Sequence, residues 1–288
     1  MKQLIKTFTC FLGIIVVFLF SSCKKDILTS KDDSEMAAVS SHVQIPGAEV
    51  PDSYNTFYGP VVQMGNGHAR TWINVSQDNR ALAFGVELTD GALEDLPDIP
   101  EEERDFISGP ADFLLVLHPK ARELTPYDHI CINWNEHGHE PAGIYNLPHF
   151  DFHFYKISVA EQAAIPEYTA APTLFDNEPP AGFMPPLYFR GPGGVLKMGA
   201  HWVDILSPEF SGQLFTSTFI YGSYDGQVTF YEPMITMATI QSGATIHKDI
   251  RQPLYFSPTD KYYPTQFSIW KNETNSKHYI SLDEMVLR

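Results

Sequence analysis

The chain has 288 residues, with 19 Lys and Arg set against 35 Asp and Glu, and a formal charge of −16. So acidic a surface repels phosphate backbones, which excludes nucleic acid as a partner and argues against adhesion of the folded part to anionic lipid. Only three cysteines are present, Cys10, Cys23 and Cys131.

The first element reads as an export signal. Lys2 and Lys6 form a positive start, Phe11 to Phe20 is apolar apart from Gly13, and Ser21-Ser22-Cys23 follows. The apolar run is too short for a stable membrane span and gives way to polar sequence. Small residues before a Cys at the end of such a run resemble the lipobox of bacterial lipoproteins. That resemblance implies removal of residues 1–22 and acylation (palmitate-type chains) of Cys23. The lipid bilayer is then a partner, and the protein sits in the cell envelope, on the periplasmic face or the outer surface of the outer membrane. Each buried methylene contributes about 0.8 kcal/mol, so more than one chain anchors stably. With Cys10 removed and Cys23 acylated, no disulfide can form in the folded part, which must be held by its core. Residues 23–45 are polar and read as a flexible tether. Within them Lys25-Asp26 partly matches the surface-export signal of Bacteroidota lipoproteins, but a second acidic residue beside Asp26 is missing. A single β-rich domain is expected over residues 46–288.

Long amphipathic helical patterns are missing, aromatic and β-branched residues are frequent, and Gly and Pro punctuate the chain. This pattern predicts an all-β fold, an antiparallel barrel or sandwich with long loops and one short helix. Strands are expected at 56–64, 69–76, 81–88, 112–118, 127–134, 150–157, 199–205, 213–222, 226–232, 253–257, 265–271 and 278–282. Residues 90–105 carry eight acidic side chains without the spacing of an EF-hand and read as a solvated loop. Cys131 lies in an alternating segment and is expected to be a buried, inert thiol. Ser158-Val-Ala-Glu161 is a capping box and predicts the short helix. Residues 171–194 are rich in Pro and Gly, which rules out a central strand and suits a long excursion over a site. Asp225-Gly226 between two aromatic, β-branched runs predicts a hairpin.

The histidines are the chemically informative feature. In Pro148-His-Phe-Asp-Phe-His-Phe-Tyr155 a strand puts His149, Asp151, His153 and Tyr155 on one face and Phe150, Phe152 and Phe154 on the other. His201 and Glu232 lie in further expected strands. Two or three His with a carboxylate suit Zn²⁺ or non-haem Fe or Mn, so His149, Asp151, His153, His201 and Glu232 are the expected metal ligands. One objection is geometric: His149 and His153 are about 13 Å apart along a straight strand, too far to share one ion. His137, His139, Tyr155 and Trp202 are the expected contacts for a small-molecule ligand. The competing reading makes these His and aromatic side chains core or subunit-interface groups.

Several long motifs occur together: Gly65-Asn-Gly-His-Ala-Arg-Thr-Trp72, the string from Trp134 through Tyr155, Met198-Gly-Ala-His-Trp-Val-Asp204, Tyr221-Gly-Ser-Tyr-Asp-Gly226 and Glu232-Pro-Met-Ile-Thr236. Together they resemble a domain-of-unknown-function family of secreted bacterial proteins whose structural prototype comes from Thermus. The resemblance spans Phe57 to the C-terminus. It implies an all-β domain and is compatible with a homo-oligomer, and it brings no activity with it. The leading expectation is therefore a lipid-anchored protein with a metal-binding β domain. The alternatives are a carbohydrate or small-ligand binding module gripping its ligand with Trp72, Trp134, Trp202 and Tyr155, and a structural, oligomer-forming lipoprotein.

Overall fold

The computed structural model describes residues 42–48 and 53–288. The expected signal peptide, Cys23 and most of the expected tether lie outside the described residues. Among the described residues, no helix is long and apolar enough to cross a membrane.

Two seven-stranded antiparallel sheets make up the fold, and neither closes into a barrel. The first contains β1 (Tyr54–Tyr58), β2 (Val62–Met64), β3 (Gly67–Ser76), β4 (Ala81–Thr89), β12 (Ile246–Asp249), β14 (Gln266–Asn272) and β15 (Lys277–Asp283). Their order is β1-β3-β4-β15-β14-β12, with β2 also paired to β3. The second contains β5 (Asp112–Val116), β6 (His129–Asn135), β7 (His149–Tyr155), β8 (Tyr188–Arg190), β9 (Ala200–Asp204), β10 (Ser217–Tyr224) and β11 (Gln227–Thr236). Its order is β5-β6-β7-β11-β10-β9-β8. A two-stranded ladder joins β13 (Tyr262–Tyr263) to β16 (Val286–Leu287). Among the described residues four short α-helices decorate the sheets where one was expected: α1 (Pro119–Leu124), α2 (Val159–Ala163), α3 (Pro172–Phe175) and α4 (Met237–Gln241). The architecture is all-β, as expected, and of the barrel and the sandwich left open by the sequence it is the sandwich.

The core lies between the sheets. Ile73, Phe84, Val86, Ile280 and Leu282 of the first meet Ile130, Ile132, Phe150, Phe152 and Phe154 of the second. Phe84 packs edge-on against Phe154 with ring centroids 5.2 Å apart, and Phe219 meets Phe267 at 5.5 Å. Such pairs contribute about 0.5–1.5 kcal/mol each beyond the area they bury. Alternation along β7 thus turns Phe150, Phe152 and Phe154 inward and sends His149, Asp151 and His153 to the opposite face of the second sheet.

The expected run 56–64 is two strands along β3, because pairing breaks after Gly59 and resumes at Val62 with the register shifted by one residue (Tyr58 faces Trp72, Val62 faces Ala69). A Cβ at Gly59 would stand 2.3 Å from the Val116 carbonyl oxygen, so only glycine permits this close approach. Residues 253–257 form no strand; the Leu254 and Tyr255 amides both donate to the Gly182 carbonyl. The unexpected strands β8, β12, β13 and β16 are two to four residues long, too short for a period to show. β8 arises inside the Pro-rich 171–194 segment, and it is an edge strand, as the prolines require. Packing also begins inside the range expected to be tether. Val43 and Ile45 are buried against Tyr58, Trp72, Trp270 and Tyr279. The Val43 amide donates to Thr56 Oγ1 (3.1 Å), and its carbonyl accepts from Asn74 Nδ2 (2.7 Å).

The local signals for α2 and the β10–β11 hairpin act as expected. Ser158 and Glu161 form a reciprocal capping box on α2. Asp225 and Gly226 take left-handed conformations (φ 46° and 75°), which suit a two-residue hairpin turn. Cys131 is fully buried beside Gln162, and burial pushes its thiol well above the ordinary range.

Candidate metal centre

The outward face of the second sheet is polar at its middle, although its side chains are buried. Strand register explains which of them meet. Along β7 and β11, Phe154 faces Tyr231 and Asp151 faces Met234, so Glu232 stands beside His153. On β10, Gly222 pairs with Phe230 of β11 and with His201 of β9. A Cβ at Gly222 would fall 2.0 Å from the Phe230 ring. The missing side chain lets that ring lie over β10, 4.8 Å from the His153 ring and 5.2 Å from the His201 ring. His201 thereby reaches across a strand toward Glu232.

Two groups of ligating atoms result, each with two histidines and one carboxylate whose ligating atoms lie within 4.8 Å of one another. In the first, His139 Nε2 is 3.4 Å from Asp151 Oδ2 and His149 Nε2 is 3.1 Å from Asp151 Oδ1. In the second, His153 Nε2 and His201 Nε2 stand 3.5 and 3.7 Å from Glu232 Oε2. Each group could hold a metal ion. The geometric objection raised by the strand spacing is met in this way: His149 and His153 belong to different groups.

The first group has its tautomers set by the backbone. His149 Nδ1 lies 2.7 Å from the Leu147 carbonyl oxygen, and His139 Nδ1 lies 2.7 Å from that of Glu140. A carbonyl only accepts, so both Nδ1 atoms carry hydrogen and both Nε2 atoms turn to Asp151. Asp151 is held in turn by Asn135, whose Nδ2 donates to Oδ2 at 2.8 Å. The Asn135 oxygen accepts from Arg104, which is paired with buried Asp112. Burial opposes ionisation of Asp151, but the charges of His149 and His139 outweigh it and hold the carboxyl well below its usual range.

The second group is less satisfied. Among the described residues, neither ring nitrogen of His153 has a hydrogen-bond partner, and neither has Glu232 Oε2; Asp151 Oδ1 in the first group is in the same position. Burial drives the His153 imidazole down to about 3, and the neighbouring His201 and His139 add to the effect. Burial also lowers His201, whose ring is about a quarter exposed. Glu232 is raised well above its usual range by burial and by the Asp151 charge. Buried polar atoms without partners are costly, so His153 Nε2 and Glu232 Oε2, 3.5 Å apart, need an explanation.

All five expected ligands are in this cluster. His139, expected to contact a small-molecule ligand, joins it as a sixth. The signal for that was the loop sequence His-Gly-His. Gly138 (φ 71°) allows the loop to fold onto Tyr145 and Asn146, where a Cβ would strike the Tyr145 carbonyl at 2.0 Å. The remaining expected contacts are elsewhere. His137 is exposed and pairs with Asp98 at 3.0 Å. Tyr155 is buried, stacked on His153 with centroids 5.6 Å apart, and its hydroxyl donates to the Lys197 carbonyl. Trp202 turns into the core, with Nε1 donating to Ser223 Oγ (2.8 Å). Trp134 is also in the core and Trp72 lies on the first sheet, so the tryptophans share no platform with Tyr155.

Arg104, Asn135 and Asp112 had no sequence signal, because their support of Asp151 depends on a loop meeting β6 in space. Comparison with family models, curated proteins and solved structures found no match to this chain.

Proposed function

We propose that this protein is a lipid-anchored metalloprotein of the cell envelope, binding a first-row transition metal on the outer face of its second sheet. The observation that supports this reading is the set of buried, unpartnered ligand atoms at Asp151, His153 and Glu232. Zn²⁺, Fe²⁺ and Mn²⁺ all accept two imidazoles and one carboxylate while keeping positions open for a substrate. An ion there would act as a Lewis acid or an oxygen-chemistry centre on a small molecule. His139 and His201, the partly exposed members, lie on the side from which a ligand would enter. The anchor is the acylated Cys23, and the likeness to the Thermus-prototype family belongs to the same reading. A carbohydrate platform receives no support from Trp72, Trp134 and Trp202, which are buried on other faces.

The test is elemental analysis of the full chain, purified in detergent without chelator or metal-affinity steps. Bound Zn, Fe or Mn, diminished in folded His153→Ala and His201→Ala variants, is the expected result. Absence of metal after incubation with each ion would overturn the reading. Cys23→Ser should move the protein from the membrane fraction to the soluble one.

A further inference from the structure

We infer that the face holds two metal ions side by side, one in each triad, so that the full centre is dinuclear. The inference rests on the metal reading above and extends it in stoichiometry and geometry.

One ion cannot take all six ligands. His149 and His153 are four residues apart on β7, about 13 Å along an extended strand, whereas ligands of one transition metal lie about 2 Å from it. The carboxylates are separated in the same way, since Asp151 lies opposite Met234 while Glu232 stands beside His153. Each triad is nevertheless complete, with two imidazoles and one carboxylate converging. A single ion would satisfy one triad and leave the other with its unpartnered buried atoms.

Each triad is positioned by its own surroundings. In the first, both histidines have Nδ1 committed to a backbone carbonyl, which turns both Nε2 atoms toward Asp151 oxygens 3.1 and 3.4 Å away. Three ligating atoms so placed are in the relation of ligands around one ion. In the second, His153 Nε2 and Glu232 Oε2 are both buried and 3.5 Å apart, and among the described residues neither has a hydrogen-bond partner. A pair of ligands spread around one ion takes up that relation.

Two residues along a strand are about 7 Å, which sets the scale of the separation between the ions. Each carboxylate lowers the local charge of its ion to about +1. Repulsion between two such charges at that distance, at an effective dielectric of about 20, weakens the second ion by roughly fiftyfold relative to the first. Two binding steps of unequal affinity follow.

The experiment is a Co²⁺ titration of the full chain, followed by visible absorption and by elemental analysis after gel filtration. It is run in a His137→Ala background, which removes the exposed Asp98–Glu136–His137 group from the count. Two Co²⁺ per chain are expected, the second binding ten- to a hundredfold more weakly. His149→Ala should lose one ion and His201→Ala the other, and the remaining ion should persist in each. Loading with Mn²⁺ should give a spin-coupled, broadened resonance spectrum in the parent and an isolated-ion spectrum in either variant. A single ion per chain, or two ions lost together from either variant, would overturn the dinuclear arrangement while leaving metal binding intact. No ion at all would remove the proposed function with it.

Discussion

The two sheets each bury a glutamate on the face turned away from the core, and they treat it in opposite ways. On the first sheet Glu87 faces Arg70 and Tyr279 in the strand register. Its Oε1 accepts from Arg70 Nε and Lys277 Nζ, both at 2.6 Å. On the second sheet Glu232 is equally buried, yet among the described residues no Lys or Arg pairs with it. Its neighbours are two imidazoles whose surroundings favour the neutral form. A carboxylate serving only the fold is matched with fixed cations from the chain. One that is left with neutral ligands suits a cation that comes and goes. The same residue type, at the same depth, is thus structural in one place and receptive in the other.

Asp283 offers a third case and sharpens the contrast. It lies on β15, buried, with a Ser281 hydroxyl donating to Oδ2 at 3.1 Å and Oδ1 without a partner among the described residues. It belongs to no His-carboxylate group. Burial raises its carboxyl from the ordinary 3.8 to about 7. The neutral form is therefore favoured in the folded state, and the unfolded chain releases the proton first. Stability is full below about pH 4 and declines as pH rises toward 7, by at most about 4 kcal/mol if the whole shift is expressed. Asp283→Asn should flatten that decline in urea titrations between pH 4 and 8. An unchanged pH dependence would show that Asp283 is compensated after all.

Metal addition gives the next effect. A ligand present at a hundred times its dissociation constant stabilises the folded state by about 2.7 kcal/mol, roughly 5–10 °C in melting temperature for a domain of this size. Excess chelator should reverse the gain. The same addition to His153→Ala should give about half of it or less, because one triad is broken. Equal stabilisation of parent and variant would place the ion elsewhere.

Much of this arrangement is legible in the sequence, for a specific reason. The period-two alternation of His149-Phe-Asp-Phe-His-Phe-Tyr155 states which side chains share a face, and Pro, Gly and the Asp225-Gly226 turn mark the strand ends. The grouping across strands is not legible. That Glu232 stands beside His153, and that His201 reaches both over Gly222, depends on the register of β7, β11, β10 and β9, which no local pattern encodes. His139 was visible as a histidine in a turn, but its place over Asp151 depends on the loop folding back at Gly138. Arg104 gave no signal, because a lone basic residue at the end of an acidic loop looks solvated until its partners Asp112 and Asn135 are seen. Removing it by Arg104→Met should free Asn135 and weaken the first triad about ten- to a hundredfold for Co²⁺, with little effect on the second.

The smallest expected effect bears most directly on the difference between the sheets. In metal-free protein, Glu87→Gln removes the charge that Arg70 and Lys277 share. Both cations are about one-fifth exposed, so water recovers part of the loss, and a cost of about 1–3 kcal/mol is expected. Glu232→Gln is nearly isosteric and removes a carboxyl whose burial and whose neighbour Asp151 already disfavour its charge. It should change the metal-free melting temperature by no more than about 1 °C, or raise it, since no buried ion pair is broken. The same variant should lose the ion of the second triad. Melting curves of the two variants with and without metal therefore separate the roles. Glu87→Gln should shift both curves down together, and Glu232→Gln should leave the metal-free curve in place while shrinking the metal-dependent gain. If Glu232→Gln destabilises the metal-free protein as much as Glu87→Gln does, then Glu232 is held by the fold in the same sense as Glu87, and the two faces are alike.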